Sequence, residues 1–250
     1  MEYQKIQTVF KRDGNNIIIP TAFTKPEFEW LKNCKFRAEE KIDGTNIRIE
    51  IDIEDDVFKL EFAGRTDRAI IPTHLLTRLQ EIFTVDKVKE VFKDNCDCHI
   101  TLYGEGYGHK IQAGSNYIRN GVDFILFDAK VGNWWLTRTT LESIAMQLGI
   151  KLVPVIGYMT IMEAIKCVDT GFKSVIAENK DYDAEGLVLK TPDNLLMRDG
   201  SRIALKIKTV DFKKFRAKYG DAIKYTQVGD TLILATNVEQ PTNEFYEGES

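Results

Sequence analysis

Lysine, carboxylate and glycine recur in short clusters along this chain. The first, Glu40-Lys41-Ile42-Asp43-Gly44-Thr45-Asn46, could present a nucleophile. A lysine followed at once by Asp-Gly can be held out from a tight turn, and glycine there lets the backbone approach a ligand closely. A free lysine, at a pKa of about 10.4, is almost wholly protonated near neutrality and attacks nothing until burial or nearby cations lower that value. Alone, Lys-x-Asp-Gly is ordinary turn chemistry. Ala204-Leu205-Lys206-Ile207-Lys208 supplies the missing cations. Read as a strand, it sets Ile203, Leu205 and Ile207 on one face and Lys206 and Lys208 on the other. Two lysines on one face suit a polyphosphate, and they disfavour a proton on a third lysine beside them.

Four further clusters lie between these two. Gly64-Arg65-Thr66 offers an arginine to a phosphate or ribose. Leu102-Tyr103-Gly104-Glu105-Gly106-Tyr107-Gly108 runs into a glycine-rich exit with one carboxylate. Its Gly-x-Gly spacing is no dinucleotide loop, because no helix-forming run follows. Asp123-Phe124-Ile125-Leu126-Phe127-Asp128 is an aromatic strand able to offer a ring to a base. Glu185-Gly186-Leu187-Val188-Leu189-Lys190 brings a second carboxylate to a strand entrance.

The elements that must hold these residues are legible from periodicity. Ile47, Ile49, Ile51 and Ile53 alternate with Arg48, Glu50, Asp52 and Glu54. Asp55-Asp56 can turn the chain, and Phe58, Leu60 and Phe62 alternate again. That pattern predicts an antiparallel hairpin with one wet face. Strands are expected at 100–104, 124–127, 186–190 and 202–208. Two short helices are expected within 75–92, broken near Thr84. Thr139 with Glu142, and Thr160 with Glu163, read as capping boxes for two more, stopped by Gly149 and Gly171. Strands and helices mix without regular βαβ alternation, so the class is α+β, mainly antiparallel sheets with flanking helices.

Two hundred and fifty residues with 14 Phe, 9 Tyr and 3 Trp can bury a substantial core. The net charge of −4 excludes a protein that coats nucleic acid by bulk charge, so a phosphate-binding surface must be local. Seven basic and two acidic residues between Lys206 and Lys224 provide one; Tyr225 to Ser250 holds five acids and no base. No apolar run reaches the length of a membrane span and the N-terminus lacks a signal-peptide stretch, so a soluble protein of the cytoplasm is expected. Cys34, Cys96, Cys98 and Cys167 are too scattered for a disulfide scaffold. Cys96-Asp97-Cys98-His99 lacks the second ligand pair of a structural zinc site and reads as reduced thiols.

In order, the six clusters resemble the covalent nucleotidyltransferases, that is, ATP-dependent ligases and mRNA-capping guanylyltransferases. The resemblance runs from Glu40 to Lys208. Lys-Ile-Asp-Gly-Thr-Asn, and Thr-Val-Asp-Phe after the Lys-x-Lys strand, look like the RNA ligase 2 family; DNA ligases more often carry Arg where Asn46 stands. The resemblance implies a nucleotidyltransferase fold over 1–224. The acidic tail, 225–250, is expected to be partly disordered and too short for an OB-fold or other second domain. It implies ATP and Mg2+ or Mn2+, with Lys41 as the nucleophile that becomes lysyl-AMP. Lys206 and Lys208 would hold the α-phosphate and Glu185 the metal. Glu40, Ile42, Asn46, Arg65, Glu105 and Phe127 would bind the nucleotide, Phe127 by stacking on adenine. Asn46, Arg65, Lys190, Lys213, Lys214 and Arg216 would touch nucleic acid, RNA in preference, bearing 3′-hydroxyl and 5′-phosphate ends. A monomer is expected. The alternatives are a small DNA ligase, a guanylyltransferase using GTP, or a nucleotide-binding module that has lost turnover.

Overall fold

The computed structural model describes residues 2–94 and 97–238; Cys96 and the tail from 239 to 250 lie outside the described residues. The chain opens with strands β1 (Gln7–Thr8), β2 (Phe10–Arg12) and β3 (Ile18–Phe23) and helix α1 (Pro26–Trp30). β4 (Phe36–Lys41) ends on the lysine of the first cluster, and β5 (Thr45–Glu54) and β6 (Val57–Gly64) form the isoleucine-rich hairpin. Helices α2 (Thr73–Ile82) and α3 (Val85–Phe92) lead to β7 (Cys98–Gly108), β8 (Val122–Val131), β9 (Trp134–Trp135) and α4 (Arg138–Leu148). Then come β10 (Lys151–Leu152), β11 (Val155–Met159), α5 (Ile161–Thr170), β12 (Gly186–Lys190), β13 (Ala204–Lys208) and α6 (Thr209–Tyr219). A hairpin of β14 (Ile223–Val228) and β15 (Thr231–Thr236) follows.

Local chemistry explains most of these boundaries. Asp55 and Asp56 both take positive φ, 49° and 61°, the two left-handed residues that a tight hairpin turn requires. Thr84 caps α3 by accepting from the Lys87 N–H, which separates α3 from α2. Thr160 and Glu163 form the expected capping box on α5. The box read at Thr139 does not form: Thr137 caps α4 by accepting from the Thr140 N–H, so Thr139 lies in the first turn.

One sheet has the order β1-β13-β12-β4-β11, and the other β10-β8-β7-β5-β6 with β9 beside β8. Every pair is antiparallel except β1 with β13 and β10 with β8. The outer face of the first sheet buries Ala38, Leu187, Leu189, Leu205 and Ile207 against Ile161 and Ile165 of α5 and Phe212 and Phe215 of α6. The second buries Ile47, Ile49, Ile51, Leu102 and Leu126 against α2, α3 and α4. A smaller cluster of Ile42, Tyr107, Tyr117, Ile125 and Val153 packs where the sheets meet. The cleft lies between the inner faces, lined by Lys41, Val188 and Lys206 from one sheet and Asn46, Glu105 and Phe127 from the other.

Two expectations are revised. The polar face of β5 is not uniformly wet: Arg48 is 1% exposed, donating to the Gly64 carbonyl at 2.8 Å and to Glu50 at 3.0 Å. The boundary drawn at 224/225 falls inside β14, and residues 225–236 form a hairpin instead of the start of a tail. Tyr225, Leu232 and Leu234 pack on the α5 core, and the Tyr225 hydroxyl donates to Asp169 at 2.9 Å. Four of the five acids that marked 225–250 as a tail lie beyond Thr236, and the hairpin itself holds only Asp230.

Register in the first sheet depends on one glycine. Gly186 has φ of 151°, and a Cβ there would stand 2.0 Å from the Ile207 carbonyl oxygen. Gly186→Ala should therefore cost more than about 2 kcal/mol of stability in urea unfolding. A loss under about 0.5 kcal/mol would show that the register has no such dependence.

Candidate active site

Strand register builds the first wall of the cleft. Gly186 of β12 stands opposite both Lys41 of β4 and Lys208 of β13, so Glu185 emerges between the two lysines. Its Oε2 accepts from Lys41 Nζ at 2.5 Å and its Oε1 meets Lys208 Nζ at 2.8 Å. Two residues along, Glu39, Val188 and Lys206 share a row on the same face, and then Arg37, Lys190 and Ala204. Burial pushes the Lys206 ammonium below the usual lysine range, and the charges of Lys208, Lys41 and Arg65 add to this.

The same alternation sets the neighbour of Lys41 in a different row. Glu40 shares its row with Leu187 and Ile207, whose side chains enter the core. Its carboxylate accepts from Ser174 Oγ at 2.5 Å and the Val175 N–H at 2.9 Å. Glu40 lines the cleft, and so does Glu39, which no sequence signal distinguished.

The opposite wall comes from the second sheet. Asn46 and Glu105 face each other across β5 and β7. Gly44 is tight against them: a Cβ there would lie 2.4 Å from the Gly106 carbonyl and 2.8 Å from Glu105 Cγ. Burial raises the Glu105 carboxyl to about 8, against the opposing pull of Lys41. The Asn46 side-chain oxygen is buried without a hydrogen-bond partner, an atom left for a ligand. Phe127 reaches the cleft through a bulge: Tyr103 pairs with Asp128 and Gly104 with Leu126, which leaves Phe127 as the extra residue. The bulge lets Leu126 and Ala129 both enter the outer core while Phe127 faces the cleft. Ile42 and Val153 complete the apolar lining, and exposed Arg65 stands at the mouth.

A buried ionic network forms the floor. Asp128 accepts both guanidinium nitrogens of Arg202, at 2.9 and 2.8 Å, and the Tyr3 hydroxyl at 2.5 Å. Lys190 Nζ lies 3.0 Å from Asp128 and 2.7 Å from Glu39, and donates to the Phe127 carbonyl at 2.8 Å. Burial opposes ionisation of Asp128, but Lys190 and Arg202 hold its carboxyl well below the usual range. Lys190, expected as a nucleic-acid contact, lines the cleft with its ammonium already held by two carboxylates. It is 2% exposed, because its strand position points it under the cleft, where two carboxylates claim it. On α6, Arg216 is also otherwise engaged, at 2.8 Å from Asp169. Lys213 is exposed and 3.6 Å from Asp183, and Lys214 is exposed.

Sequence reading missed Tyr3, Tyr117, Ser174 and Arg202. Tyr117 is fully buried, and its hydroxyl accepts the Asp43 N–H at 3.2 Å, which holds the turn after Lys41. None of the four sits in a cluster, and Tyr117 and Ser174 act from loops distant in sequence from the residues they hold.

Among the described residues no group of three or more His, Cys, Asp or Glu is arranged to hold a metal ion. Cys34 and Cys167 are free thiols. Glu185, held between Lys41 and Lys208 at the mouth, fits a Mg2+ or Mn2+ ion that arrives on phosphates, since Mg2+ is commonly held by one or two carboxylates plus substrate oxygens.

The Glu105 carboxyl binds its proton more tightly in the folded protein than a free carboxyl, whose ordinary value is 4.5. That contribution to stability is complete below about pH 4.5 and is lost as pH rises through about 8. Melting temperatures of the nucleotide-free protein should accordingly fall across this window, and Glu105→Gln should flatten the fall. Parallel profiles for the two proteins would exclude a proton held on Glu105.

The RNA ligase family model matches residues 35–208. None of the curated proteins compared matches the chain. Among solved structures, an apo mutant of the Naegleria gruberi RNA ligase superposes with TM-score 0.59 at 21% identity, over 87% of this chain and 58% of that one. The same protein with pyrophosphate gives 0.59 at 22%, over 88% and 58%. A mutant with ATP and Mn gives 0.55 at 23%, over 76% and 54%. At these identities the likeness speaks for the fold, and the chain spans little more than half the length of those structures. With the family model covering well over half of the chain, from just before β4 to the end of β13, the chain belongs to the RNA ligase family.

Proposed function

We propose that the chain is an ATP-dependent RNA ligase that joins 3′-hydroxyl and 5′-phosphate ends through a lysyl-AMP intermediate. Residues 1–224, extended by the β14–β15 hairpin, act in this reading as the adenylation domain. The observation that carries it is the Glu185 carboxylate shared by Lys41 and Lys208, with Lys206 on the same wall, at the mouth of a cleft lined by Phe127 and Val188. Three lysines around one carboxylate leave excess positive charge where a triphosphate would sit. The apolar cleft beyond suits a base, with Phe127 as the stacking ring.

The chemistry is three in-line displacements at phosphorus. The Lys41 amine attacks the α-phosphorus of ATP; a P–N bond forms, the P–O bond to pyrophosphate breaks, and the amine proton passes to solvent. An oxygen of the RNA 5′-phosphate then takes the adenylyl group, breaking the P–N bond. Finally the 3′-hydroxyl attacks the activated 5′-phosphorus, forms the phosphodiester and expels AMP. There is little covalent work for the protein beyond alignment and charge neutralisation. Lys206 and Lys208 serve the α-phosphate, Arg65 the phosphate or ribose at the mouth, and Glu105 and the unpartnered Asn46 amide the sugar or the 5′-phosphate. A divalent ion on the ATP phosphates, touching Glu185, would supply further neutralisation.

Covalent labelling tests this. Protein freed of bound AMP with pyrophosphate, then incubated with Mg2+ and α-labelled ATP, should carry label through a denaturing gel, and Lys41→Ala should carry none. Label from GTP alone would assign the chain to guanylyl transfer, and folded protein labelled by neither nucleotide would sink the ligase reading. Phe127→Ala should raise the ATP concentration for half-maximal labelling about tenfold, the loss of one base–ring stack of roughly 1–3 kcal/mol.

A further inference from the structure

Beside the cleft, two loops are stitched together over a polar groove that the ligase chemistry above does not use. The Glu178 N–H donates to the Tyr117 carbonyl at 3.0 Å and the Asn179 N–H to the Asn116 carbonyl at 3.2 Å. The Asn179 amide donates to Asn116 Oδ1 at 3.3 Å. Between the loops runs an open groove presenting Arg119, Lys180, Asn120 and the Asn116–Asn179 pair, with Lys110 further along the same surface. The Ser115 hydroxyl, 3.5 Å from His109 Nδ1, joins the two stretches.

Among the described residues the cations of this groove are not paired with carboxylates. Among the described residues neither the Arg119 guanidinium nor the Lys110 ammonium has a carboxylate partner, and Lys180 Nζ donates to the Ala177 carbonyl at 2.8 Å. The one carboxylate of the groove, on Glu178, accepts from the Arg119 backbone N–H at 2.8 Å. The contrast is with α6, where Arg216 is bound to Asp169 and Lys213 leans toward Asp183. Free cations and amides without an aromatic platform match a phosphodiester backbone better than stacked bases.

The groove is also tied to the nucleophile. The loop of Tyr117 holds the residue two after Lys41, through Asp43 N–H to Tyr117 Oη at 3.2 Å and Ala113 N–H to Asp43 Oδ2 at 3.4 Å. The loop of Lys180 holds the residue before Lys41, through Ser174 and Val175 on the Glu40 carboxylate. A strand lying in the groove therefore rests on the two loops that hold the turn carrying the amine. We propose that this groove binds the phosphate backbone of the RNA strand whose end reacts at the cleft. The proposal rests on the ligase reading and names the path of its substrate.

The test is salt-dependent binding of a fluorescein-labelled, 5′-phosphorylated single-stranded RNA. The wild type, Arg119→Ala with Lys180→Ala, Lys110→Ala alone, and a charge-matched control of Lys59→Ala with Lys166→Ala on other surfaces would be compared. Each single-strand phosphate contact contributes roughly 0.7 to the slope of log affinity against log salt, so the groove pair should flatten it by about 1.4 and Lys110→Ala by about 0.7. The control should keep the wild-type slope. Labelling by ATP, which needs no RNA, should be unchanged in all of them. Groove variants that bind with the wild-type slope, or lose no more than the control, would overturn the groove. Wild-type protein that fails to label with ATP would instead overturn the ligase reading beneath it, so the two failures are distinguishable.

Discussion

Everything at the mouth of the cleft follows from one carboxylate standing between two lysines. Glu185 sits at the entrance of β12, and the strands on either side end on Lys41 and begin α6 just beyond Lys208. Antiparallel register brings these residues from three distant stretches into one row, and alternation adds Lys206 two residues further in. The arrangement is unbalanced by itself, with three cations answered by a single anion. Such local imbalance marks a site prepared for a partner of opposite charge rather than one optimised for stability. A polyphosphate would compete with Glu185 for Lys208 and leave the Lys41 amine directed at the phosphorus.

The floor obeys the opposite logic. Asp128 and Glu39 are shared among Lys190, Arg202 and Arg37, almost every donor and acceptor has a partner, and all five residues are buried. Burying such a network gains little net stability, and removing one member leaves an uncompensated charge. What it gives here is position. Asp128 belongs to the second sheet and Lys190 to the first, so their ion pair locks the two walls at a fixed separation beneath the base-sized apolar lining. Tyr3 adds the N-terminal segment to the same lock, its ring edge-on to Phe127 at 5.1 Å and its hydroxyl on Asp128.

How much of this could be read beforehand depends on distance along the chain. The hairpin, the break at Thr84, the Thr160 capping box and the two-faced Lys206–Lys208 strand were legible because period and capping are local properties. The capping residue of α4 was misplaced by two because Thr137, Thr139 and Thr140 offer competing hydroxyls within one turn. Glu40 was placed at the cleft by the family resemblance, and it does line the cleft, but its carboxylate partners, Ser174 and Val175, lie far along the chain and carried no local signal. Lys190 looked like a surface lysine at a strand end, and only the approach of Asp128 and Glu39 from other strands buries it. Tyr117, Ser174 and Arg202 carried no local signal at all, since their roles exist only after the two sheets have met.

The loops between strands finish what the sheets begin. A lysine at the end of a strand is held on one side only, and its turn would be free to swing without further contacts. Here Ser174 and Val175 fix the residue before it and Tyr117 and Ala113 fix the residue two after it, so the amine is aimed by four contacts from two loops that also grip each other. Alignment is most of what an enzyme can offer to displacement at phosphorus. A groove built from those same loops therefore rests on the contacts that set where the amine points.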